Sequence, residues 1–415
     1  MKAPLRILFN DSHSNYGAGK AAAQGGPMIF ADLFVQYSKD APYHLTSVFF
    51  KSEPDATGVR LHKTSSKPQH DLFDVVYNRA DLSVSYKQDY TKKAFLAFLS
   101  PWLEQIERLF DEARPDVVFL NGYALTNYLL FAIAKKRNIP VCIQHAGIWK
   151  NEINISAGSA FSPSIKKIFI GLEKDLVQHA THHVFLNSFS KERFLAAHKL
   201  HENDLYESSI IPLPIQTPAI IRPVTLKKKS KDTIRIGGVS RWDAIKNHSA
   251  FLRLAEYIAE EKIPATVSVV TNPFNGVAST FRDSYAAHID IVAPMNTKKL
   301  AVFYRSCDVL LLPSKFETAG GVVMEAIIQG VPAIISDSVG WVPDYQSLGL
   351  HSLIVSPQAS GKMLYAAIET LFNNKEAYIK RFASFQSKII PRHDPKKIFP
   401  KYEKIFTSLS KKHHG

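Results

Sequence analysis

Residues 308–337 read DVLLLPSKFETAGGVVMEAIIQGVPAIISD. A fully apolar run, VLLL, enters Pro313-Ser314, and a turn follows that carries Glu317 and the pair Gly320-Gly321. A helical stretch containing Glu325 comes next, and Gly330 and Pro332 separate it from a second apolar run, AIIS. Such unbroken apolar strands belong in a sheet covered on both faces. Glycines at a strand-to-helix turn let the backbone approach a ligand closely. The unpaired amides of the helix start, at the positive end of its dipole, suit a phosphate. Glu317 lies in that turn, whereas Glu325 sits inside the helix and needs a partner or a ligand hydroxyl if buried. Taken singly, each of these residues is more often an ordinary turn or helix residue.

The alternation continues in both directions. Upstream lie the strand patterns IRIGGVS (234–240) and TVSVVTN (266–272) and the helical patterns 251–261 and 298–306; downstream lie helical stretches at 361–372 and 398–409. The first half repeats the scheme. Strands are expected at 5–9, 44–50, 74–77, 116–122, 140–145 and 183–187, and helices at 101–113 and 128–137. Ser190 reads as the N-cap of KERFLAAHK. Between the halves, residues 210–231 hold Pro212, Pro214, Pro218, Pro223 and the cluster LKKKSK, which reads as an interdomain linker. The prediction is an α/β chain of two Rossmann-like, doubly wound domains facing across a cleft. The segments are 1–215, a linker at 216–231, 232–390, and a C-terminal helix at 391–415 that crosses back to the first domain.

Composition narrows the function. The 415 residues suffice for two cores. The two cysteines, Cys142 and Cys307, give no disulfide framework, and no His/Cys/carboxylate cluster shows metal-ligand spacing. The N-terminus lacks a signal-peptide pattern and no apolar run reaches about 18 residues, so a cytoplasmic protein is expected. The net charge of +14 is uneven: 24 basic against 21 acidic residues in 1–221, and 27 against 16 in 222–415. Nucleic acid, an anionic membrane surface and an anionic small ligand compete with a plain solvated surface as explanations. Nucleic acid is the weakest, because no recognisable binding module accompanies the charge.

The loop SNYGAGKAAAQGG at 14–26 follows the first strand and invites a P-loop reading, but Ser14 stands at the first glycine position and Ala21 replaces the magnesium-binding hydroxyl residue. Two other groups join the turn at 313–321. GGVSRWDAIKN (237–247) places Arg241 and Lys246 five apart after a strand, where Arg grips a diphosphate bidentately and Lys acts as a point charge. IQHAG (143–147) puts His145 at the carboxyl end of a strand, the edge where doubly wound sheets bind ligands. A lone histidine there is structural about as often as functional.

These elements together resemble the retaining glycosyltransferases of the GT-B fold, glycosyltransferase family 4. Glu317 and Glu325 with seven residues between them, Gly320 three after the first, and Gly330-x-Pro332 carry the signature. The first glycine loop, His145-x-Gly147, Asn187-Ser188, Ile211-Pro212, Arg241 with Lys246, and Leu312-Pro313-Ser314 occur in the family's order. The resemblance implies an N-terminal acceptor domain and a C-terminal donor domain. It implies transfer of a sugar from a UDP- or GDP-linked donor to an acceptor hydroxyl, without a metal or another cofactor. Arg241 and Lys246 would neutralise the leaving diphosphate. Glu317 would bind donor-sugar hydroxyls, assisted by amides near Gly320, Gly321 and Val322. Glu325 would hold the ribose, and His145 would sit beside the reacting carbon. Gly17 or Gly19, with Gly25-Gly26 as the alternative glycine site, would let the first loop touch the phosphates, and VAPMN (292–296) would form the base pocket.

The chain also departs from the pattern. Thr318-Ala319 replace a common Gly-Phe, which puts Thr318 against the donor sugar in a reshaped pocket. Trp341 replaces a second glycine after Gly340, and Asp344 stands where Glu is frequent. By the same resemblance the acceptor is a glycan or lipid-linked sugar in polysaccharide, lipopolysaccharide or glycolipid synthesis, with the basic half holding the enzyme at the inner membrane face. The polar stretch 149–167 is a candidate acceptor loop, and equally an ordinary surface insertion. The rivals are an epimerase or phosphorylase on the same fold and a non-catalytic sugar-nucleotide binding module.

Overall fold

The computed structural model describes residues 4–11, 26–78, 86–156, 161–216, 221–226, 233–271 and 279–414. The glycines expected to touch the phosphates, Gly17 and Gly19, and the lysines at 227–231 lie outside the described residues. The chain divides into two compact units: one runs from the N-terminal region through Pro214 and includes Pro395–Gly415, the other holds Ile215–Asp394.

The first unit is an eight-stranded sheet. Its strands are β1 (Leu5–Asn10), β2 (Tyr43–Ser52), β3 (Arg60–Lys67), β4 (His70–Tyr77), β5 (Val117–Asn121), β6 (Val141–His145), β7 (His182–Phe185) and β8 (Ser208–Ile210), in the spatial order β3-β4-β2-β1-β5-β6-β7-β8. All neighbours are parallel except β3 and β4. Strand β3 was not expected. Its sequence, RLHKTSSK, faces solvent along most of its length and so lacks the apolar alternation that marks a strand. Its charge also blunts an exposed sheet edge. Ser190 is not the N-cap of the following helix, Ser188–His198. Asn187 caps it, accepting from the Ser190 amide at 2.7 Å, and Ser190 returns a bond as the third residue of a capping box.

The helix Pro395–His414 belongs to this first unit. Ile398, Phe399, Tyr402, Phe406 and Leu409 recur at helical spacing and are all buried. Phe399, Tyr402 and Phe406 join a ring cluster with Phe30, Phe34 and Phe119, at centroid separations of 5.2–6.3 Å. The Tyr402 hydroxyl donates to the Gln144 side chain at the middle of this sheet.

The second unit is a six-stranded, all-parallel sheet in the order β11-β10-β9-β12-β13-β14. The strands are β9 (Ile234–Val239), β10 (Ala265–Val270), β11 (Asp290–Val292), β12 (Val309–Leu312), β13 (Ala333–Ser336) and β14 (Ile354–Val355). Strands β12 and β13 are wholly buried, as their unbroken apolar sequences require. The glycine pair in β9 has a packing reason. A Cβ on Gly237 would lie 2.4 Å from Cys307 Sγ, and one on Gly238 would lie 2.5 Å from the Phe251 ring. A helix that sequence periodicity did not single out, Lys375–Lys388, buries Tyr378, Phe382 and Phe385. Among the described residues no helix is long and apolar enough to cross a membrane.

Both sheets reverse their winding once. In the second unit the reversal falls between β9 and β12, so the loops leaving their carboxyl ends diverge around a crevice. These two loops carry Arg241 with Lys246 and Glu317 with Gly320.

Candidate active site

The loop after β9 is built by residues whose side chains secure the backbone. Asp243 accepts from the Ile245 amide at 3.0 Å and starts the short turn Ala244–Lys246. Asn247 follows in the left-handed region, at φ 58°. Its buried amide donates to the carbonyls of Pro313 (2.9 Å) and Pro357 (2.8 Å), tying this loop to those after β12 and β14. His248 lies beneath Trp242, with ring centroids 4.0 Å apart, and its Nε2 donates to the Arg241 carbonyl at 3.0 Å. Burial lowers the His248 pKa, which favours the neutral ring and leaves Nδ1 to accept from the Tyr285 hydroxyl at 3.0 Å. The Arg241 side chain is exposed, while Lys246 is partly buried. Sequence reasoning missed Trp242, Asn247 and His248; an Asn-His pair beginning a helix after a basic loop is the cue that was there to use.

The loop after β12 is clamped from the neighbouring strand end. The Glu317 amide donates to the Ser338 carbonyl at 3.0 Å, and the Gly340 amide donates to the Glu317 carbonyl at 3.0 Å. Held this way, Glu317 forms an ion pair with Lys246, and the Ser314 hydroxyl donates to the same carboxylate oxygen at 3.4 Å. Lys246 and Glu317 are 71 residues apart in sequence, and their side chains are 17% and 16% exposed. The two residues expected to meet the diphosphate and the sugar are thus brought into direct contact.

Gly320 then turns the chain into the helix Gly321–Ile328 at φ 66°, ψ 61°, with no side-chain cap. The first amides of a helix have no carbonyl partner within it, so the helix starts as an electropositive, donor-rich end. Trp341, which occupies a position where the resembled family has a glycine, supplies a contact that sequence reasoning missed. Its indole Nε1 donates to the Gly320 carbonyl at 3.0 Å, and its ring packs on Phe385 and His393. Because that carbonyl also accepts from the Val323 amide at 3.1 Å, Trp341→Phe leaves it one partner. The expected cost is about 1 kcal/mol of unfolding free energy, measured by denaturant titration, with weaker nucleotide binding by calorimetry. Gly321 and Val322 are partly exposed at the helix start, and Thr318 is 5% exposed.

Glu325 lies on this helix and is partly buried. The Tyr304 hydroxyl, on the helix Thr297–Ser306, donates to Glu325 Oε2 at 2.7 Å. Burial raises the Glu325 pKa, and the Tyr304 bond opposes that rise. A carboxylate kept ionised against its desolvation costs stability, and that cost is relieved as pH falls through its raised pKa. Glu325→Gln keeps an acceptor for Tyr304 and removes the charge. Its melting temperature is expected to rise at pH 7, while nucleotide affinity falls about tenfold, if the charge serves a ligand hydroxyl. The VAPMN segment (292–296) begins at the last residue of β11, and its Asn296 caps the helix Thr297–Ser306.

In the first unit His145 closes β6 and is 1% exposed. Its Nδ1 bonds the Tyr123 hydroxyl at 2.6 Å, its Nε2 bonds His183 Nδ1 at 3.0 Å, and its ring stacks on Phe185 at 4.5 Å. Burial, reinforced by His183 and His198, holds its pKa well below the usual range, so the ring is neutral. Both nitrogens are engaged. His145 thus lies buried at the end of β6, bonded on both sides within the first unit. The stretch 149–167 is also more ordered than a polar loop. It contains the helix Trp149–Ser156 and the start of Pro163–His179, with 157–160 outside the described residues. The buried Glu173 carboxylate accepts from the amides of Trp149 (2.7 Å) and Lys150 (2.9 Å) and so fixes that first helix.

Comparison with known proteins adds to this geometry. Residues 224–384 match the family model described as Glycosyl transferases group 1. The chain is 26% identical over 157 residues to the "Uncharacterized 41.2 kDa protein in cps region" of Klebsiella pneumoniae, covering 37% of this chain and 42% of that protein. It is 29% identical over 109 residues to the "Putative glycosyltransferase EpsF" of Bacillus subtilis (strain 168), covering 26% of this chain and 28% of that protein. The chain thus matches less than half the length of either relative. Two solved structures align with nearly the whole chain. A sucrose-phosphate synthase from Thermosynechococcus elongatus has a TM-score of 0.73 at 16% identity, covering 98% of this chain and 99% of that one. An α,α-trehalose-phosphate synthase (UDP-forming) from Burkholderia xenovorans has a TM-score of 0.70 at 11% identity, covering 97% and 100%. At such identities the likeness is one of fold. The solved structures show a shared fold of two Rossmann-like units, and the match to the glycosyl transferases group 1 model falls within the second unit.

Proposed function

We propose that the protein moves a sugar from a UDP- or GDP-linked donor to an acceptor hydroxyl with retention of anomeric configuration. The observation that carries this reading is the placement of Lys246, Glu317 and the uncapped helix start after Gly320 at the winding reversal of the second sheet. The anomeric carbon–oxygen bond to the diphosphate breaks as the acceptor oxygen attacks, and the acceptor proton passes to the leaving phosphate. Lys246, Arg241 and the amides of Gly321 and Val322 stabilise the negative charge that develops on the diphosphate. Glu317 orients the sugar through its hydroxyls, and Glu325 holds the ribose. His145 supports the loop at the end of β6. No further cofactor is invoked.

The acceptor in this reading is a glycan or lipid-linked sugar of cell-envelope polysaccharide, lipopolysaccharide or glycolipid synthesis. The basic excess in residues 222–415 supports a peripheral place on an anionic membrane face. Stronger co-sedimentation with anionic than with neutral liposomes is its test, and equal binding removes it. The function itself is tested by incubating the purified protein with UDP- and GDP-sugars, with and without an acceptor extract. Nucleoside diphosphate release that requires the acceptor supports transfer. Isomerised donor without acceptor would indicate an epimerase, phosphate-dependent turnover a phosphorylase, and binding without turnover a non-catalytic module.

A further inference from the structure

The Lys246–Glu317 pair has a consequence for which nucleotides the site accepts, and this consequence rests on the proposed transfer reading. Both residues are partly buried, and Lys246 neutralises Glu317 directly. The Ser314 hydroxyl reaches the same oxygen from its own loop, and the backbone bonds of Glu317 to Ser338 and Gly340 prevent the carboxylate from swinging away with its loop. A diphosphate that engages Lys246 therefore meets a fixed anion competing for the same cation. A nucleoside diphosphate alone brings only more negative charge, and the two anions repel across one ammonium. An intact nucleotide sugar brings hydroxyl donors to the carboxylate at the moment its phosphates draw on the lysine, so each group exchanges one partner for another.

We propose that Glu317 is a specificity residue that discriminates the intact donor from the nucleoside diphosphate product, acting through Lys246. Its charge weakens product binding and its oxygens recover that loss only when a sugar is attached. Removing the charge should therefore strengthen binding of the bare nucleotide, the opposite of what a residue that only adds contacts would do.

The test measures dissociation constants for UDP, GDP and their glucose or mannose conjugates, in the wild type, Glu317→Gln and Glu317→Ala. The Gln variant keeps shape and folding; the Ala variant checks that the effect follows the charge. In both variants the affinity for the bound nucleoside diphosphate is expected to rise about fivefold, the range of one partly exposed ion pair. Affinity for the nucleotide sugar is expected to fall, so the ratio of the two constants moves by about tenfold or more. Wild-type binding with unchanged or weaker diphosphate binding in both variants overturns this inference and leaves the transfer reading standing. Absence of any nucleotide or nucleotide-sugar binding to the wild type overturns the transfer reading and this inference together.

Discussion

Lys246→Ala is expected to lower the turnover of nucleotide sugar by about a hundredfold to a thousandfold, the scale of removing one preorganised group that stabilises developing charge. The same change leaves the Glu317 carboxylate without its cation inside the crevice. Diphosphate binding then loses an attraction and meets an uncompensated repulsion, so affinity falls together with rate. Folding is affected far less. Both side chains retain some contact with solvent, and an ion pair so placed contributes only about 1 kcal/mol or less. Steady-state kinetics beside a thermal melt separates these effects: large loss of activity with a melting temperature near that of the wild type. A melting temperature that falls sharply would make Lys246 a structural residue.

Gly320→Val is expected to damage both folding and binding. The backbone there lies at φ 66°, where a β-branched residue is strained. An added Cβ would also lie 2.9 Å from Leu312 Cδ2 and 3.2 Å from Val339 Cγ1, so the loop would have to lift from the strands it is clamped to. Strain and overpacking together should cost about 3 kcal/mol. The melting temperature of the second unit should fall by about 10 °C. Gly321→Ala is the control. Its added Cβ meets nothing within 4 Å and its φ is ordinary, so stability should match the wild type. If both variants melted alike, the special conformation of Gly320 would not matter.

Much of this was legible in the sequence, because the second sheet is buried on both faces. VLLL and AIIS declare themselves as strands, and the glycines between them mark the turn. The C-terminal helix was visible through the spacing of Ile398, Tyr402, Phe406 and Leu409. What was not legible depends on contacts between residues remote in the chain. Lys246 meets Glu317 where Asn247 and the Lys315 amide tie one loop to the other. Trp341 looked like a departure from a glycine pattern, and its indole bond to Gly320 exists only once β13 lies beside β12. His145 was correctly placed at a strand end, but nothing in IQHAG discloses that Tyr123 and His183 engage both of its nitrogens. Solvent-facing β3 has no apolar signature at all.

The most direct measurement of the central claim is calorimetric titration of UDP and GDP into the wild-type protein. The account predicts that one of the two binds saturably, at one site per chain, with heat that Lys246→Ala abolishes. Failure of both nucleotides to bind a correctly folded wild type would contradict a donor site at this crevice.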